Sequence, residues 1–273
     1  MEEGKTTVVS LGFIKGGVGK TNIAILLARF YSAAGIRVLL AGSDLNNSLS
    51  FYFLDDEAME RTNKLYLAAA LSDEHNNLCD FALPAKIPGI DLIASTPYLA
   101  DLRTLNEKRL KRMIPTIYGK YDILIIDCHP TYDNIVLNTF HAADYIITPV
   151  LRDIFSYNAA VFMSEVLPRD VEGIKNWFIL INGYSKRFGG SKSGQQNEFL
   201  NLYREANFPL TPCETWLPWT AQIHQVVDYH KPLTRQKGIP GTVYNPDLYN
   251  AIAELAGCFI DMIYEDMLMP EVF

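Results

Sequence analysis

No stretch of this sequence reaches the roughly 18 uninterrupted apolar residues that a membrane-spanning helix needs. The most apolar segment, Ile23 to Ala41, is broken by Arg29 and Arg37, so a soluble protein is expected. Cysteine is scarce: Cys79, Cys128, Cys213 and Cys258 lie far apart and form no C-x-x-C pair. That spacing argues against a zinc or iron–sulfur site, and the thiols read as reduced, mostly packing residues. Net positive charge is lacking as well. A formal charge of −7 excludes a strong uniform attraction to nucleic acid or anionic lipid and leaves only a local patch for such partners. Ahead of the first apolar strand stand only Met-Glu-Glu-Gly-Lys, without the basic start and apolar core of a secretory signal, so a cytoplasmic location is expected. There is no internal repeat and no linker, and residues 1–273 are read as one domain.

What is present is a rhythm of short buried strands and helices. Thr7 to Phe13 is β-branched and apolar and runs into a glycine-rich turn, after which Thr21 to Ala34 carries apolar residues at helical spacing. Gly35 stops that helix, and Arg37 to Ala41 reads as a second strand. Asn46 to about Phe81 is expected to be helical in pieces, with a strand at Ile90 to Ala94 and a helix with a basic face from Leu99 to Tyr118. Tyr121 to Asp127 is a buried strand ending in a carboxylate. Helices are then expected at Asn134 to Ala143, Ser156 to Leu167, Gln195 to Ala206, Ala221 to Tyr229 and Pro246 to Met267. Strands fall at Tyr145 to Val150 and Trp177 to Asn182, with an extended segment at Thr215 to Leu217. Such alternation predicts an α/β fold: a doubly wound, mostly parallel sheet of at least six strands with helices on both faces.

The segment Lys15-Gly16-Gly17-Val18-Gly19-Lys20-Thr21 lies between the first strand and the first helix. There, consecutive backbone amides can point at one anion and the helix N-terminus adds its positive end, so phosphate is the natural ligand. Glycine allows close approach, Lys20 can neutralise the outer phosphates, and the Thr21 hydroxyl can ligate Mg²⁺. With Asn22, these residues are the candidate nucleotide site, and ATP with Mg²⁺ is the expected cofactor pair. The strict phosphate-loop pattern would need glycine at position 14, where the chain has Ile14, and it carries an additional lysine at 15.

This deviant loop resembles that of the ParA/MinD family of P-loop ATPases, and the chain is most similar to a short, Soj-like ParA. The resemblance implies that Lys15 reaches across an ATP-dependent homodimer to the partner's nucleotide, which makes Lys15 and Lys20 catalytic candidates. The family pattern D-x-D-P-Q-x-S reads here as Gly42-Ser43-Asp44-Leu45-Asn46-Asn47-Ser48. Its second aspartate, which in the family orients the attacking water, is Asp44; its first, which supports the magnesium hydration shell, is Gly42. Asp127 closes an Ile-Leu-Ile-Ile strand beside the phosphate loop and, with Thr21, is the candidate magnesium ligand. Where the family continues with a small residue and two prolines, the chain has Cys128-His129-Pro130. Taken alone, His129 reads as a surface or hydrogen-bonded loop group, and Cys128 as packing.

Further similarity runs through Asn138 to Val150, Ile179 to Asn182 and Trp216 to Leu233. It implies adenine contacts at Asn182 and Pro218, with Trp219 where arginine is frequent in the family. Family members act on nonspecific DNA, on membranes, or on metal and redox clients. No Lys or Arg follows Lys237, and Asp261, Glu265, Asp266 and Glu271 make the end acidic, so a basic membrane-binding helix is not expected. Lys186, Arg187, Lys192 and Arg204 form the candidate DNA-binding patch, with Lys231, Arg235 and Lys237 later in the chain. The basic run Arg103, Lys108, Arg109, Lys111 and Arg112 reads instead as the solvated face of a helix. With so few residues ahead of the phosphate loop, no helix-turn-helix operator domain is expected. The resemblance thus implies a partition ATPase with a ParB-like partner. The alternative is a positioning or regulatory switch that acts on a protein assembly, with slow or absent hydrolysis and no DNA role.

Overall fold

The structure is a computed structural model and describes residues 4–44, 46–96, 104–174, 176–184, 201–206, 208, 216–218, 220–259 and 269–273. Eight strands form the main sheet: β1 (Thr7–Leu11), β2 (Val38–Gly42), β3 (Leu83–Pro84), β4 (Ile90–Ile93), β5 (Ile123–Asp127), β6 (Tyr145–Val150), β7 (Trp177–Tyr184) and β8 (Leu217–Pro218). Their order is β3-β4-β2-β5-β1-β6-β7-β8. Every pairing is parallel except the antiparallel edge pair β3–β4.

The centre of the sheet is apolar on both faces because helices cover both. In β5, Ile123 and Ile125 join Val9, Leu40 and Leu180 beneath the helices Lys20–Ala33 and Pro246–Gly257. Leu124 and Ile126 face the opposite way, with Val8, Leu39 and Ile179, toward the helices Leu67–Ser72, Asn134–Ala142 and Ile154–Asp170. Burying each such side chain contributes about 1.5–3 kcal/mol, so the two-period of the strands is locked by a core on each side. A hydrogen bond from the Tyr31 hydroxyl to the Ala256 carbonyl at 2.8 Å joins the two helices of the first face.

The elements at the site fall within a few residues of expectation. Others differ for local reasons. The expected helix at 99–118 is helical only over Arg109–Met113 and continues as a 3₁₀ turn, Ile114–Ile117, where Pro115 cannot donate to an α-helical ladder. Residues 97–103 lie outside the description. Among the described residues, the strand β3 and a small parallel pair, Leu233–Thr234 with Val243–Tyr244, were not expected; two residues are too few to show a period. Cys79 and Cys128 are free thiols, but Cys258 is disulfide-bonded, which departs from the expectation of reduced cysteines. Separation in sequence says nothing about distance in a fold. No helix among the described residues is long and apolar enough to cross a membrane.

Register decides what meets at the carboxyl edge of the sheet. Leu11 and Gly42 both pair with Asp127, so the loops after β1, β2 and β5 leave side by side, at the crevice where open α/β sheets bind ligands.

Candidate functional site

The loop after β1 is shaped by its glycines. A Cβ on Gly12 would lie 2.1 Å from the Phe140 ring, so only glycine lets the chain leave the strand there. Gly17 and Gly19 have φ of 72° and 92°, in the left-handed region. Gly19 is the N-cap of the helix Lys20–Ala33, and no side chain caps that helix. The other described helices of nine or more residues are capped by Asp133, Asp153 and Asn245. A helix end shaped by glycine and left uncapped presents its amides to an outside acceptor, and an anion fits.

Lys20 is buried at 7% exposure. Its ammonium donates to the carbonyls of Phe13 at 3.2 Å and Lys15 at 3.1 Å, and thus lies along the inside of the loop. Burial lowers its pKa, an effect opposed by Asp127. The Thr21 hydroxyl donates to Asp127 Oδ2 at 2.7 Å. The other oxygen, Oδ1, is buried and has no hydrogen-bond partner. Burial pushes the Asp127 carboxyl up to about 7, although Thr21 and Lys20 pull it down. A buried carboxylate with one idle oxygen, next to a threonine hydroxyl, is a donor set that suits a hydrated divalent cation.

Lys15 is held within its own chain. Its ammonium lies 2.7 and 2.9 Å from the Asp153 carboxylate oxygens and 2.9 Å from Ser156 Oγ, and 5.9 Å from the Phe155 ring centre. Sequence reasoning had no partner for it in cis. Gly16 and Gly17 are exposed and Val18 is buried. Asn22 is half-buried on the first turn of the helix. Asn182 sits over the loop and donates to the Val18 carbonyl at 2.7 Å. β7 and β8 set Asn182 opposite Leu217, next to Pro218, so both candidate base contacts lie on one margin of the loop. Trp219 is outside the described residues.

On the other side stands the loop after β2. Ser43 is tied to β5 by its amide, which donates to the Asp127 carbonyl at 3.0 Å. Asp44 follows, and His129 Nδ1 lies 3.2 Å from Asp44 Oδ1, so the histidine that reads as surface when considered alone faces the candidate hydrolytic carboxylate. A usable signal was present: Asp44 and His129 each stand two residues beyond the paired positions Gly42 and Asp127. Cys128 is buried and in contact with Thr139 Oγ1 at 3.1 Å, and burial raises its thiol to about 12, which fits packing. At Gly42 a Cβ would lie 3.2 Å from Ser95 Cβ, so Ser95 encroaches on the space of the missing carboxylate.

Lys186, Arg187 and Lys192 lie outside the described residues. Arg204 is exposed, 3.4 Å from Asn201. In the other basic run, Arg103 lies outside the described residues, while Lys108 pairs with Glu172 at 3.3 Å and Arg112 with Glu74 at 3.1 Å. This accords with a solvated helix face. Among the described residues no His, Cys, Asp and Glu cluster could hold a metal by itself.

A family model described as an AAA domain matches residues 6–168, more than half of the chain, phosphate loop and Asp127 included. This chain belongs to the ParA/MinD-like P-loop ATPases. SopA of Escherichia coli strain K12 is 28% identical over 221 residues, covering 72% of this chain and 56% of SopA. The chain spans about half the length of the first curated relatives it matches, 44% and 57%. The crystal structure of a plasmid partition protein from Borrelia burgdorferi B31 bound to AMPPNP superposes with a TM-score of 0.72 at 20% identity, covering 93% of this chain and 98% of that one. The ATP complex of a Cyanothece McdA variant gives 0.73 at 16% identity, covering 94% and 96%. At those identities the likeness establishes the fold. The cofactors expected of the chain, ATP and Mg²⁺, are of the kind bound by such solved neighbours, one of which holds ADP and magnesium.

Proposed function

We propose that residues 1–273 work as one ATPase domain that binds Mg²⁺-ATP, closes an ATP-dependent sandwich homodimer, holds DNA without sequence preference, and segregates a chromosome or plasmid with a ParB-like partner. The observation that carries this reading is the uncapped glycine N-terminus before Lys20, faced by Asp127 with an unpartnered oxygen. Its amides and Lys20 would cradle the phosphates, and Thr21 with Asp127 would hold Mg²⁺. The metal, when bound, supplies charge that the triphosphate needs. Asp44 would orient the attacking water. Lys15 would leave Asp153 and pair with the partner's nucleotide; the exposed Ile154 and Phe155 beside it, 59% and 72% accessible, suit burial against a second copy. The protein would act in the cytoplasm, on the nucleoid.

The rival reading, a positioning or regulatory switch on a protein assembly with little or no hydrolysis, draws support from Gly42, where the family's first carboxylate is missing, and from the −7 charge. Nonspecific duplex DNA separates the two. In filter binding with and without ATP, a partition ATPase shows ATP-dependent retention that weakens steeply with salt, and Arg187→Glu weakens it on every sequence alike. No retention at low salt refutes the DNA role and leaves the switch. Asp44→Ala is expected to keep ATP affinity within about threefold, lose about 100-fold in turnover, and accumulate as dimer in ultracentrifugation. A monomer in saturating ATP would refute the sandwich.

A further inference from the structure

We propose that His129 is a positioning residue that turns Asp44 toward the attacking water. The proposal rests on the reading of the chain as an ATP hydrolase. The parallel pairing of Gly42 with Asp127 sends two loops out of the sheet together, and the second residue of each meets the other. His129 Nδ1 lies 3.2 Å from Asp44 Oδ1, and the same oxygen accepts the Asn46 amide at 3.1 Å. Facing a carboxylate, Nδ1 must carry the ring proton. Oδ1 is thereby engaged twice, whereas Oδ2 has no hydrogen bond among the described residues. One oxygen anchors the carboxylate and the other remains for a water.

The ring has its own support. The His129 amide donates to Ser43 Oγ at 3.2 Å, and that hydroxyl donates to the Asp127 carbonyl at the same distance. Pro130 follows and limits the backbone. Its Cβ would lie 3.9 Å from a Cβ on Gly16, so the His129-Pro130 turn borders the phosphate loop. The two side chains are 25% and 17% exposed, open enough for water and enclosed enough to stay ordered. A carboxylate held in this way loses less orientational freedom when its water attacks. With glycine at position 42, the carboxylate at position 44 is steadied by the ring at 129.

The test compares His129→Ala and His129→Asn, the second of which keeps a side-chain N–H close to the Nδ1 position. Loss of an outer-shell partner typically costs 10- to 100-fold. His129→Ala should therefore lower kcat about 10-fold while KM and the affinity for a fluorescent ATP analogue stay within about twofold, and His129→Asn should recover most of kcat. Nitrogen NMR of the nucleotide-free protein should show the His129 ring as the Nδ1–H tautomer, lost in Asp44→Ala. Unchanged kcat in His129→Ala, a parallel loss of ATP binding, an asparagine variant no better than alanine, or a ring indifferent to Asp44 would each overturn the proposal. A wild-type protein that turns over no ATP with Mg²⁺ refutes the hydrolase reading itself, and the proposal with it. Normal wild-type turnover with an unaffected alanine variant refutes the proposal alone.

Discussion

The loop after β1 and the loop after β2 leave the same sheet edge, yet their charged side chains are held differently. In the first, Lys20 rests on carbonyls of its own loop, those of Phe13 and Lys15, while Thr21 is held by Asp127 at the end of β5 and Lys15 by Asp153. In the second, the chain has glycine at position 42 and a carboxylate at 44 whose support comes from another loop, through His129. The buried lysine is thus held within its own loop, whereas the candidate hydrolytic carboxylate leans on a side chain 85 residues away.

That contrast can be broken at measurable points. The largest effect is expected from Lys20→Ala, which should weaken ATP more than about 100-fold by removing a buried charge from the phosphates; calorimetry showing near-normal affinity would mean that the loop amides suffice. Asp127→Asn should reduce the tightening of ATP by Mg²⁺ about 10- to 100-fold, read from titrations with and without the metal. Binding equally metal-dependent in the variant would move the cation elsewhere.

Gly12→Ala tests whether the first loop is set by packing. Its methyl would collide with Phe140, and an overpacked core costs about 1–3 kcal/mol, so thermal unfolding should begin several degrees lower. Phe140→Leu in the same chain should return part of that loss. The smallest change is expected from Asp153→Asn, which keeps an acceptor for the Ser156 amide and weakens the hold on Lys15. The pair is about one-third exposed, and such pairs contribute up to about 1 kcal/mol. ATP-driven self-association should therefore strengthen about two- to fivefold. Weaker association would mean that Asp153 serves the dimer and does not restrain Lys15.

Much of the nucleotide side was legible because its signals are local. Glycines at fixed offsets, a lysine and a threonine at a helix start, and an apolar strand ending in Asp127 each point to one geometry. The parts that were missed depend on pairs. Lys15 and Asp153 are 138 residues apart, and Asp44 and His129 are 85 apart; no periodicity connects them. The expected helix through Pro115 was overextended because a basic, apolar pattern continued past a residue that lacks the amide a helix requires. Short strands such as Leu83–Pro84 carried no readable alternation.

By itself, the sequence determined the α/β alternation, the phosphate loop and the identity of the groups that can meet a triphosphate. It could do so because backbone preference and hydrophobic period act over a few residues. The tertiary structure alone decided which of those groups touch: strand register set Gly42 against Asp127 and carried His129 to Asp44, and packing of the helix Ile154–Asp170 brought Asp153 to Lys15. Contacts of that kind are made by chains folding back from a distance, and they are specified by the whole sheet and its two cores together.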